Sequence, residues 1–151
     1  MNSSKFDKTD KVSIFLVDDD KDDQEIFTEA LKNINSSVDL TIFNSAKEIM
    51  KAMQLNDNMP DIIFLDLYMP VRDGEECLMD IRENPLFDNI PVVIYSTEFD
   101  VDRIERLFYL GANRYLRKPE SFYSLIISVD TIVQSLKQNY LEGNAVVNIV
   151  A

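Results

Sequence analysis

The 151-residue chain reads as one doubly wound α/β domain, and three observations carry that reading. Short β-branched, apolar runs alternate with stretches whose apolar residues recur at three- and four-residue steps, five of each. The inner runs are apolar at every position, as are strands of a parallel sheet covered on both faces. Three of the runs end abruptly in carboxylates or hydroxyls, at the carboxyl end of the strands where such sheets hold their sites.

Residues 1–11 are polar and aperiodic, and are expected to form a flexible leader to a domain spanning 12–138. Val12 to Val17 is the first strand and runs directly into Asp18, Asp19 and Asp20. Ile26, Phe27, Ala30, Leu31 and Ile34 mark the apolar face of a first helix, with Glu25, Glu29 and Lys32 on the other face. Val38 to Phe43 is extended and Ser45 to Gln54 helical, with Ser45 placed three residues before Glu48 as in a capping box. Asp61 to Leu65 is a third strand, closed by Asp66. Gly74 then permits a turn before a helix whose face carries Cys77, Leu78 and Ile81. Pro91 opens the fourth strand, Val92 to Tyr95, which ends in Ser96 and Thr97. Ile104, Leu107 and Phe108 mark a fourth helix ending near Gly111. Arg114 to Arg117 is short and polar-flanked, in the manner of an edge strand, and Lys118 follows it. Phe122, Leu125, Ile126, Val129, Ile132, Val133 and Leu136 form the stripe of a fifth helix, with Pro119 in or before its first turn. Residues 139–151 form a tail ending A-V-V-N-I-V-A. Such residues either make a mobile terminus or add as a strand, or dock on a second subunit, because exposed β-branched side chains are costly in water.

Acidic residues outnumber basic ones by 27 to 15, and the net charge of −12 repels nucleic-acid phosphates and anionic lipid surfaces. The single cysteine, Cys77, excludes an internal disulfide and a thiolate zinc site, and reads as core. No apolar run approaches the roughly 18 residues of a membrane span, and no export signal opens the chain, so a cytoplasmic location is expected.

Asp18, Asp19 and Asp66 are expected to converge at the ends of the first and third strands, where like charges oppose joint ionisation unless a cation offsets them. Oxygen donors with no histidine select a hard ion, Mg²⁺ first and Mn²⁺ as the alternative. A carboxylate beside such an ion can attack phosphorus, which makes Asp66 the candidate nucleophile. Lys118 supplies an ammonium and Ser96 a hydroxyl for the phosphoryl oxygens. A calcium loop is the rival reading of Asp18, Asp20, Asp22 and Glu29. Asp23 stands there in place of the required glycine, and a strand precedes the run instead of a helix. Asp22 and Asp23 are accounted for as a solvated helix start.

The motifs L-V-D-D-D at Leu16 to Asp20, D-I-I-F-L-D-L-Y-M-P at Asp61 to Pro70 and D-G at Asp73 and Gly74 stand in one order with two more. These are P-V-V-I-Y-S at Pro91 to Ser96 and G-A-N-R-Y-L-R-K-P at Gly111 to Pro119. Over about Val12 to Leu136 the chain resembles the receiver domains of two-component response regulators, of the stand-alone chemotaxis and phytochrome-response type. The resemblance implies a flavodoxin-like (βα)5 three-layer sandwich with parallel strand order 2-1-3-4-5. It implies Asp66 as phosphoacceptor, Asp19 as direct metal ligand, Asp18 as a ligand through water, and the Tyr68 backbone carbonyl as a further ligand. Lys118 matches the family's lysine, Ser96 its switch hydroxyl in preference to Thr97, and Tyr115 the aromatic that reorients with that hydroxyl. Tyr68 and Glu98 are less typical and are expected to set the lifetime of the aspartyl phosphate, the Tyr68 ring narrowing the approach of water.

The implied partners are a sensor histidine kinase or histidine phosphotransfer protein and a downstream protein target, with no nucleic acid and no membrane, for a monomer or homodimer. The implied product is a signalling module with autocatalytic transfer and slow autodephosphorylation. A phosphorylation-independent scaffold of the same fold is the alternative. An aspartyl-phosphate phosphohydrolase ranks below it, since Tyr68 stands where such enzymes place a second acid.

Overall fold

Each core strand leads into a helix whose first turn is capped by a polar side chain. In the computed structural model, which describes residues 11–55, 59–141 and 143–147, β1 (Val12–Val17) precedes α1 (Lys21–Leu31). The Asp20 carboxylate caps α1 by accepting from the N–H groups of Asp22 and Asp23. β2 (Val38–Phe43) leads to α2 (Ala46–Gln54), where Ser45 Oγ accepts from the Glu48 N–H as its spacing foretells. β3 (Ile62–Leu65) leads to α3 (Gly74–Glu83) through a reciprocal capping box between Asp73 and Glu76. β4 (Val92–Ser96), α4 (Val101–Tyr109), β5 (Arg114–Arg117) and α5 (Phe122–Lys137) complete the alternation, and β6 (Ala145–Val147) follows. The expected leader, apart from Lys11, and residues 148–151 of the tail lie outside the described residues.

The strands form one parallel sheet in the order β2-β1-β3-β4-β5-β6. Alternation along each strand splits the core in two. Phe15, Val17, Ile63, Leu65, Val92, Ile94 and Tyr115 pack under α2, α3 and α4, whereas Ile14, Leu16, Ile62, Phe64, Val93, Tyr95 and Leu116 pack under α1 and α5. The result is the expected three-layer sandwich.

Three details differ from the sequence reading. β5 is not an edge strand: its outer side pairs with β6, Tyr115 opposite Val146, so its polar flanks have another cause. Arg114 reaches the Tyr140 carbonyl at 2.6 Å, and Arg117 lies 5.8 Å from the Phe99 ring. Ile26 and Phe122, placed on buried helical faces by their spacing, are each nearly half exposed. Gln24 takes the inward position on α1 instead, because its amide donates to the Asp18 carbonyl and to Asn44 Oδ1. The third strand starts at Ile62; the Asp61 side chain accepts from the Ser13 N–H at 2.8 Å and ties its entry to β1.

Candidate functional site

Strand register assembles the site. Val17 lies opposite Leu65, and Leu65 opposite Ile94, so the residues that follow these strands emerge side by side. The Asp66 N–H donates to the Val17 carbonyl at 2.9 Å, the Asp18 N–H to Phe43 at 3.0 Å, and the Lys118 N–H to Ser96 at 2.8 Å. The chain leaves β1 for β2 on one side while β3 lies on the other. Asp18 and Asp66 therefore flank the crevice where strand order reverses, at the carboxyl ends of the strands.

Carboxylate oxygens of Asp18, Asp19 and Asp66 all lie within 4.8 Å of one another. Asp18 and Asp66 are buried and Asp19 is exposed, so the cluster opens to solvent on the Asp19 side. Burial pushes the Asp66 carboxyl up to about 6; the Asp18 charge adds to the rise, while Lys118 and the Tyr68 N–H oppose it. Burial also raises Asp18, against the Asp20 N–H and Lys118, which favour its charged form.

Lys118 Nζ stands 3.1 Å from Asp18 Oδ2, 2.7 Å from Asp23 Oδ2 and 3.6 Å from Asp66 Oδ1, with the Tyr95 ring centroid at 5.0 Å. Burial alone would lower this ammonium's pKa, but the three carboxylates outweigh it and hold it protonated. Asp23 belongs to the site as Lys118's nearest partner, which the solvated-helix-start reading missed. Its only sequence signal is a place in the first turn after the acidic cluster.

Ser96 is fully buried at the end of β4, and its Oγ accepts from the Glu98 N–H at 3.2 Å, whereas Thr97 is exposed. Tyr115 is buried with its hydroxyl donating to the Glu98 carbonyl. The Tyr68 side chain is exposed, and its hydroxyl donates to the Glu98 carboxylate. Tyr68 and Glu98 thus join the loop after Asp66 to the loop after Ser96.

The loop after β3 is shaped by two backbone features. A Cβ on Gly74 would meet the Asp66 carbonyl oxygen at 2.2 Å and Leu67 Cα at 2.7 Å, so only glycine lets α3 begin this close to the end of β3. Val71 sits at φ 69°, a left-handed conformation that is strained for a β-branched residue, between Pro70 and Arg72, whose carbonyl and N–H are hydrogen-bonded.

The donor set fits a hard divalent cation. Three carboxylates converge, the two buried ones with raised pKa values and one ammonium between them, and a cation on the Asp19 side would favour the ionised forms. The same set can hold a phosphoryl group, with a carboxylate to bond it and Lys118 and Ser96 to meet its oxygens.

A family model described as the response regulator receiver domain matches residues 14–130. Response regulator Rcp1 of Synechocystis sp. is 32% identical over 134 residues, which span 85% of this chain and 88% of Rcp1. Two-component response regulator ARR6 of Arabidopsis thaliana is 34% identical over 127 residues, 78% of this chain and 67% of ARR6. Among solved structures, the phosphorylated cyanobacterial phytochrome response regulator RcpA has a TM-score of 0.77 at 32% identity, covering 84% of this chain and 94% of RcpA. The Mn²⁺-bound form of Rcp1 has a TM-score of 0.71 at 31% identity, covering 93% and 99% of the two chains.

Proposed function

Because the chain belongs to the response regulator receiver domain family, we propose that it accepts a phosphoryl group on Asp66 and signals by a change of conformation. The observation that carries this reading is the meeting of Asp66 with Lys118 at 3.6 Å inside the Asp18–Asp19–Asp66 cluster. The donor is a phosphohistidine on a sensor kinase or phosphotransfer protein. Its phosphorus–nitrogen bond breaks as a bond to an Asp66 oxygen forms, and the released imidazole takes a proton.

Asp19, Asp66 and the Tyr68 backbone carbonyl would hold a divalent cation, with Asp18 acting through water. When bound, Mg²⁺ or Mn²⁺ supplies positive charge to the phosphoryl oxygens. The Mn²⁺-bound form of Rcp1 and the phosphorylated form of RcpA support this assignment. Lys118 meets a phosphoryl oxygen by exchanging one of its carboxylate contacts, and Ser96 donates its hydroxyl to another. That movement of Ser96 draws on the Glu98 loop, to which the Tyr115 hydroxyl is bonded, and shifts a two-state equilibrium read by a downstream protein. Tyr68 and Glu98 stand over the loops that flank the acceptor, where the Tyr68 ring narrows the approach of water. We take 12–138 as the receiver unit, acting in the cytoplasm as a signalling module.

Intact mass after incubation with acetyl phosphate and Mg²⁺ tests the proposal. The expected result is one base-labile phosphate on the wild-type chain and none on Asp66→Asn or in the presence of a chelator. No uptake by the wild type would leave a scaffold of receiver fold, and rapid turnover without a stable adduct would point to a hydrolase.

A further inference from the structure

A second charged cluster adjoins the carboxylate site. Arg103 lies in the first turn of α4, where the helix dipole disfavours a cation and where Asp100 and Asp102 already supply the favoured charge. Its side chain is about three-quarters buried, and its Nε is buried without a hydrogen-bond acceptor. Neither helix capping nor solvation accounts for a guanidinium held this way.

Two carboxylates from other elements face it. Glu75 Oε1, in the first turn of α3, stands 3.5 Å from Nε, and Glu98 Oε2, in the loop after β4, stands 3.8 Å from Nη1. Arg106, one turn further along α4, donates to the same Glu75 oxygen at 3.1 Å. Glu98 also accepts from the Tyr68 hydroxyl, while its N–H donates to Ser96 Oγ.

We infer that Arg103 is the positioning residue of a clasp, Tyr68–Glu98–Arg103–Glu75, that joins the loop after Asp66 to the loop after Ser96 and sets how fast the aspartyl phosphate meets water. This role rests on Asp66 being the phosphoacceptor. The Tyr68–Glu98 hydrogen bond is open to solvent on the Tyr68 side, so water competes for both partners and the bond alone selects no single Glu98 conformer. Arg103 supplies what that bond lacks, a charge fixed to a helix on the protected side of Glu98. Because Arg103 belongs to α4, a ligand that moves the first turn of α4 changes the phosphate lifetime through these contacts.

Arg103→Gln, Arg103→Lys and Glu75→Gln in the full chain test the clasp, each loaded with acetyl phosphate and Mg²⁺ and followed by intact mass after donor removal. Arg103→Gln is expected to take up phosphate and lose it about two- to fivefold faster than wild type, the change that loss of a partly exposed ion pair produces. Glu75→Gln changes the rate in the same direction by less, and Arg103→Lys, which keeps the charge, recovers most of the wild-type lifetime. In the unphosphorylated chain, amide exchange at Glu98 is expected to quicken in Arg103→Gln and return toward wild type in Arg103→Lys. A wild-type rate of phosphate loss in Arg103→Gln, or unchanged Glu98 exchange, overturns the clasp. A wild-type chain that takes up no phosphate overturns the reading of Asp66 instead, and the exchange measurement then decides by itself whether Arg103 positions Glu98.

Discussion

Burial holds the Asp66 carboxyl at about 6, above its ordinary value of 3.8, so the folded chain keeps a proton there that the unfolded chain has released. Between those values the native state binds the extra proton, and stability falls as pH rises. Above about 6 the whole cost is present. Asp66→Asn should therefore raise the stability of the cation-free protein at pH 7 by about 1–3 kcal/mol, with the gain vanishing near pH 4, in urea unfolding at the two pH values. The same burial leaves a site that gains from receiving positive charge. Gly74 matters for a different reason, since a methyl group there meets backbone atoms that cannot turn aside. Gly74→Ala should cost about 1–3 kcal/mol and slow phosphate uptake together, because the displaced atoms belong to Asp66 and Leu67; normal uptake would show that the loop relaxes freely.

Among the elements, the five strand–helix units were legible because periods of two and three-to-four residues depend on neighbours in the chain. Ile26 and Phe122 mark where that legibility stops. They keep the helical period, yet the face of α1 is set by the polar partners of Gln24, which lie beyond the helix. β6 shows the same limit. Its pairing with β5 is secured by Asn113 and Arg114, whose side chains donate to the carbonyls of Leu141, Gly143 and Tyr140 in the segment between α5 and β6. Asn113 in turn accepts from Arg82, which also binds the carbonyls of Gly111, Phe87 and Ile90 and so joins α3 to the starts of β4 and β5. Deleting 143–151 should speed amide exchange at Arg114, Tyr115 and Leu116 and cost about 1–2 kcal/mol, the worth of a short ladder. Unchanged exchange there would mean that β6 contributes nothing to the β5 edge.

For the whole molecule, a net charge of −12 and a crevice of three carboxylates make divalent cations a stabilising ligand. Mg²⁺ at about a hundredfold excess over its dissociation constant should stabilise the chain by about 2.7 kcal/mol at pH 7, seen as a rise in Tm. The rise should shrink toward pH 5 as Asp66 takes up its proton, and should be absent in Asp19→Asn if Asp19 is a direct ligand. Among the described residues no helix is long and apolar enough to cross a membrane.

The linear order of residues already determined that carboxylates, a hydroxyl and an ammonium would close the first, third, fourth and fifth strands, because strand ends and caps are local matters of periodicity and side-chain type. It therefore singled out Asp18, Asp19, Asp66, Ser96 and Lys118. Only the folded chain decided that Asp23 would share Lys118, that Tyr68 would reach Glu98, that Arg103 would stand behind Glu98, and that Asp66 would hold its proton so far above the ordinary range. Those outcomes depend on distances between groups tens of residues apart and on how completely water is excluded between them, and neither quantity is written in any local stretch of sequence.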